Sequence, residues 1–168
     1  VICCRGSAEE AMSYMRCIMD RIKLTVNEEK TRICHVPAEQ VEFLGYTIGR
    51  MYSAKDGHEY MGTRPSKQAV SKIKDTIHEL TSPSWGFLEV EELINRVNRR
   101  LQGWWNYFRL DSIGRGHKTV DGYTRTRIRQ WLKRKHRFSG KGVKRYSASR
   151  LHGEMGLIQL AWLPRNFS

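Results

Sequence analysis

The sequence predicts an α+β fold, with the end of a sheet domain over residues 1–62 and a separate α-helical module over residues 63–168. Three observations predict it. Up to Ile48, apolar residues come in short blocks or alternate, and turn residues separate them. From Ser66 onward they recur at helical spacing, and Arg64-Pro65-Ser66 divides the two patterns. The chain has 168 residues, 39% of them hydrophobic, with five Trp, seven Tyr and five Phe. That suits one domain or two small ones with a real core, and it excludes wholesale disorder.

Taken in order, Val1-Ile2-Cys3-Cys4 reads as a buried apolar strand and Arg5-Gly6 as a turn. Ser7 with Glu10 fits a capping box, opening a helix to about Ile22 with Ala11, Met15, Ile18, Met19 and Ile22 on one face. A buried strand needs neighbours, so the chain reads as the tail of a longer protein. Asn27-Glu28-Glu29-Lys30 is a polar turn. Thr31 to Val36 and Val41 to Ile48 read as strands, and Gly49 to Gly62 as a hairpin around Lys55-Asp56-Gly57.

In the second part, Ser66 is the expected N-cap of a helix ending near Thr81, with Ala69, Val70, Ile73, Ile77 and Leu80 as its apolar stripe. Ser82-Pro83-Ser84 is a linker. Glu89 to Arg109 is the clearest helix, its apolar side running from Val90 through Trp104, Trp105 and Phe108. Gly114-Arg115-Gly116-His117 reads as a flexible basic loop before a third helix, from about Val120 to Arg137. A short last helix starts near Ser147, and Met155 to Pro164 supplies apolar cover.

Charge is the strongest functional signal. Thirty Lys and Arg face 17 Asp and Glu, a formal net charge of +13. Between Arg96 and Arg150 lie 17 Lys and Arg against only Asp111 and Asp121, so the basic character belongs to one region. Such a surface points to a polyanion, usually nucleic acid. Arg96, Arg99, Arg100, Gly103 and Tyr107 form a ridge beside the apolar arc of one helix; Arg125, Arg129 and Lys133 recur at i, i+4 and i+8 on the next. Each cation can neutralise a phosphate and release counterions. Tyr107 can stack on a base or ribose, and Gly103 leaves room for a backbone to approach. Trp104 and Trp105 fall on the apolar side, where packing outweighs a stacking role.

The sequence offers little else for chemistry. No acidic pair sits where two-metal nucleotidyl transfer needs one. The six histidines show no ligand spacing, and no Walker loop or nucleophile elbow appears. The four cysteines, Cys3, Cys4, Cys17 and Cys34, lack zinc or disulfide spacing and read as free thiols in a reducing compartment, the cytoplasm. No apolar run is long enough for a bilayer and no leader is evident, so neither membrane nor secretion is expected.

Two motifs carry a family resemblance. The first is Leu24-Thr25-Val26-Asn27-Glu28-Glu29-Lys30-Thr31 followed by Val41-Glu42-Phe43-Leu44-Gly45-Tyr46. It resembles the late palm blocks of group II intron and retron-type reverse transcriptases. The second is the helix from Ile94 to Arg109, with Asn95-Arg96-Val97-Asn98-Arg99-Arg100 and Gly103-Trp104-Trp105-Asn106-Tyr107. It is similar to the signature helix of the group II intron maturase-specific domain, the thumb-like X domain.

The resemblance implies the C-terminal remnant of a reverse-transcriptase palm sheet followed by a helical thumb/maturase domain. It implies a fragment of an RNA-directed DNA polymerase whose metal-binding aspartates lie upstream of Val1, so this chain alone polymerises nothing. No cofactor is expected in the chain, and Mg²⁺ is implied for the full-length polymerase. The implied partners are intron RNA, an RNA/DNA primer–template, and an upstream polymerase half in the same or a separate chain. Carried over by position, Lys30 is a proton donor near the incoming nucleotide, or else a turn lysine paired with Glu28 or Glu29. Phe43, Leu44, Gly45 and Tyr46 match the primer grip, with Phe43 and Leu44 alternatively core on opposite strand faces. Intron RNA would be held through Arg96, Arg99, Arg100, Gly103, Tyr107, Arg109, Arg115, Arg125, Arg129, Lys133 and Arg134. Two rival readings are a free-standing basic RNA-folding factor and a decayed element that does not fold.

Overall fold

The computed structural model describes residues 2–53, 56–109 and 114–164. Helix α1 (Ala8–Arg21) starts where expected: the Ser7 hydroxyl accepts the Glu10 N–H at 3.1 Å. The carboxylate that answers Ser7 is that of Glu9, not Glu10, so the capping box closes only in part. No residue of α1 is fully buried, and its apolar stripe is partly open: Ala11, Met15 and Met19 are half-buried, while Ile18 is 55% and Ile22 56% exposed.

The sheet differs from expectation. Ile2-Cys3-Cys4 is exposed and forms no strand, and Thr31 to Val36 forms none either. Among the described residues neither segment pairs with a neighbouring strand, and alternation without a strand partner does not make a strand. Val1 lies outside the described residues. The single strand expected over Val41 to Ile48 is broken into β1 (Val41–Phe43) and the start of β2 (Tyr46–Tyr52); β3 (Glu59–Pro65) completes an antiparallel meander in the order β1-β2-β3. Phe43 pairs with Tyr46, so Leu44-Gly45 is a two-residue hairpin turn, with φ of 49° and 78°. A two-residue turn preserves the period of two, which hides it in the pattern. The β2–β3 hairpin matches expectation and pairs Tyr46 with Pro65 and Tyr52 with Glu59.

The helices follow the sequence more closely. The Ser66 hydroxyl accepts the Ala69 N–H at 3.1 Å and opens α2 (Lys67–Leu80), capped by Thr81. The linker is a 3-10 turn, Pro83–Trp85, and α3 spans Val90–Phe108 with Glu91 and Glu92 on its positive end. The expected basic loop at 114–117 is instead the entry to α4 (Arg115–His136). His117 is 1% exposed and its ring lies 5.3 Å from that of Trp104, so tertiary packing outweighs the helix penalty of Gly116.

Helices α3 and α4 run antiparallel. Trp104 meets His117 at one end, and Lys135 Nζ donates to the Leu88 carbonyl at 2.6 Å at the other. Both pack against α2. Ile77, Leu93, Leu101, Ile128, Leu132 and Leu160 are fully buried in one core. The C-terminal segment, with a π-helical turn Arg150–Glu154 and a 3-10 turn Leu160–Trp162, closes that core as the apolar pattern predicts.

Candidate nucleic-acid interface

The ridge on α3 divides in two. Arg99 and Arg100 are exposed, and a Cβ at Gly103 would meet nothing within 4 Å, so this stretch of helix is open to a large ligand. Arg96 is half-buried and engaged: it pairs with Glu92 at 2.7 Å and its guanidinium lies 5.0 Å from the Trp85 ring centroid. On α4, Lys133 and Arg134 are exposed near the C-terminal end, where cations complement the helix dipole. Arg125 is half-buried. Arg129 Nε donates to the Tyr146 carbonyl at 2.8 Å, and burial, then the nearby Arg125, push its guanidinium pKa below the ordinary value. Arg109 and Arg115 are exposed at the corner between the helices.

The fold brings the two sequence motifs together. The Tyr107 hydroxyl donates to the Leu44 carbonyl at 2.9 Å, and the Tyr46 hydroxyl donates to the Tyr107 carbonyl. The two rings stack with centroids 5.9 Å apart at 27°. Ser66 N–H donates to the Gly45 carbonyl at 2.7 Å, fastening the hairpin to the start of α2. A Cβ at Gly45 would lie 3.3 Å from Phe108 Cζ. The glycine is therefore needed for its positive φ and for a side chain pressed against it. A groove of about 420 Å³ opens between hairpin, α2 and α3, with Leu44, Lys72, Thr76 and Tyr107 on its walls. Phe43 and Leu44 are exposed, so neither is core.

Lys30 is exposed in its turn, its N–H donating to Asn27 Oδ1 at 3.1 Å. Glu28 pairs instead with Arg16 at 2.7 Å. Among the described residues no ion pair of Lys30 with Glu28 or Glu29 occurs.

Three polar residues matter more than the sequence indicated. Arg127 is buried and caps α2: Nε donates to Thr81 Oγ1 at 3.0 Å, and a terminal nitrogen donates to the His78 and Thr81 carbonyls at 3.2 and 3.3 Å. Asp121 accepts the Leu160 and Ala161 N–H groups at 2.9 and 3.1 Å. Burial pushes its carboxyl pKa up, against those two bonds and the charges of Arg125 and His152. Asn98, inside the arginine-rich motif, donates to the Gly156 carbonyl at 2.8 Å and accepts the Ile158 N–H at 3.0 Å. The sequence signal was a polar residue on a helix face otherwise committed to the core.

Among the described residues no group of three or more His, Cys, Asp or Glu could hold a metal ion. No described helix is long and apolar enough to cross a membrane. Residues 70–148 match the family model of the group II intron, maturase-specific domain. That stretch begins in α2 and runs past the end of α4, taking in the cations of α3 and α4. No curated protein matches the chain.

Proposed function

We propose that the chain is a group II intron maturase C-terminal region with a role in intron splicing, as the match of residues 70–148 to the maturase-specific domain supports, and that it acts by gripping folded intron RNA. The single observation that carries this is the set of exposed cations on α3 and α4. Arg99, Arg100, Lys133 and Arg134 stand on a rigid helical core with no acidic partner among the described residues. Rigid helices hold the cations at fixed spacing, so a folded RNA that matches it binds without paying to order them. The protein stabilises the folded intron, and the RNA performs the chemistry.

The reading extends to the rest of the chain. The sheet segment is the end of a reverse-transcriptase palm and the helices are its thumb. The hairpin Phe43-Leu44-Gly45-Tyr46, tied to Tyr107, faces the primer–template, with Lys30 toward the incoming nucleotide. The open apolar stripe of α1 favours an upstream polymerase half over a free-standing factor, since Tyr14, Ile18 and Ile22 are exposed and a sheet neighbour would cover them.

The test is binding to a folded group II intron RNA and to an unstructured RNA of equal length across a salt series. The wild type should prefer the folded intron. Arg99→Ala with Arg100→Ala should weaken that binding and make the log–log salt slope shallower by about 1.8, for two phosphates on a duplex-like target. Equal binding of both RNAs, with no change in slope, would overturn the proposal.

A further inference from the structure

Between α4 and Tyr146 the chain turns left-handed three times in six residues: φ is 47° at Arg137, 81° at Gly140 and 72° at Gly142. The loop is nonetheless built, not slack. The Phe138 ring lies under it, and a Cβ at Gly142 would come within 3.1 Å of Phe138 Cε2 and Cζ. Tyr146 anchors the far end: it is buried, its N–H donates to the Gly142 carbonyl at 2.8 Å, and its carbonyl accepts Arg129 Nε. The Arg145 guanidinium lies over the Phe138 ring, 5.2 Å from its centroid, while Arg145 remains exposed. A hollow of about 510 Å³ opens within residues 138–145, with Phe138, Val143 and glycine backbone in its walls.

Its rim is positive and uncompensated. Lys141 and Lys144 are exposed, and no Asp or Glu occurs between Asp121 and Glu154. Glu154 is itself paired with Arg150 at 2.9 Å. Gathering like charges on one loop costs stability, and such a cost persists where the arrangement serves a ligand. Such a rim suits a ligand that is anionic and flat enough to stack on a guanidinium plane. A duplex presents its phosphates along a ridge and cannot enter a hollow this size, whereas a splayed-out nucleotide can.

We propose that the 137–145 loop seats one unstacked nucleotide of single-stranded RNA, its phosphates on Lys141 and Lys144 and its base against the Phe138–Arg145 stack. This rests on the intron-RNA reading and adds to it a single-strand contact separate from the α3 ridge.

The test uses the full chain, a short labelled oligouridylate, and a fully paired RNA of the same length. The wild type should prefer the single strand. Lys141→Ala with Lys144→Ala should make the salt slope for oligouridylate shallower by about 1.4, for two single-strand phosphates. Arg145→Lys keeps the charge but loses the plane; it should weaken oligouridylate binding roughly fivefold or more with the slope unchanged. All three sites are exposed, so an unchanged Tm verifies folding. Wild-type affinity in both loop variants, or equal affinity for the paired RNA, would overturn the loop site. Loss of preference for folded intron with these loop effects intact would instead overturn the ridge reading and leave the loop site standing.

Discussion

Asp121 shows how one carboxylate can serve structure inside a basic domain. It ties the last turn to α4 by accepting two main-chain N–H groups. Asp121→Ala would strand both donors and should cost about 2 kcal/mol or more in urea unfolding. Burial raises its pKa above the ordinary carboxylate value, so the folded state holds the proton more tightly than the unfolded state. Its contribution to stability is therefore greatest below that value and declines as pH rises through the raised folded one. The stability difference between wild type and Asp121→Asn, followed upward from about pH 4, should drift against the wild type. A flat difference would refute the assignment. Gly45 is the other residue with a sharp outcome. Gly45→Ala meets both a positive φ and Phe108, and should lose about 1–2 kcal/mol in thermal or urea unfolding.

Elements differ in what holds them. Helices α2, α3 and α4 are fixed by one shared core, and Arg127 fastens α4 to the end of α2. Helix α1 has a cap and an amphipathic pattern but no buried residue. A helix of 14 residues without packing is marginal in water. Amide hydrogen exchange should therefore find α1 weakly protected while the middles of α3 and α4 exchange only on global unfolding. Equal protection of α1 would mean that it is held by something beyond its own cap. The β1–β2 hairpin is intermediate: short, but held at its turn by Tyr107 and Ser66.

At the scale of the whole molecule, charge acts against the fold and for its partner. A net +13 repels itself in the free protein, most strongly between Arg96 and Arg150. Salt screens that repulsion. Raising NaCl from low to about 0.3 M should raise the Tm of the free protein and, over the same range, weaken its binding to intron RNA. The opposite signs separate an electrostatic interface from salt effects on packing. A Tm that falls with salt would mean the cations are already compensated internally.

The sequence by itself determined the helices from Ser66 onward, because their apolar stripes and hydroxyl caps act within a few residues along the chain. It also determined the basic character of one region and the two motifs, since composition and order need no third dimension. The structure supports an α+β arrangement of that chain. Only tertiary structure decided the rest. Among the described residues, the strands expected at residues 1–4 and 31–36 do not appear, because strand pairing depends on a partner that alternation cannot supply. The turn at Leu44-Gly45 was invisible because a two-residue hairpin turn keeps the strand's own period. Residues 114–117 read as a loop, whereas Gly116 and the buried His117 lie in α4 and Gly114 is its N-cap. Which arginines face water was likewise a tertiary matter. Arg127 and Arg129 carry the same charge as Arg99 and Arg100, but main-chain carbonyls a long way off in sequence draw the first pair inward, while the second pair faces water.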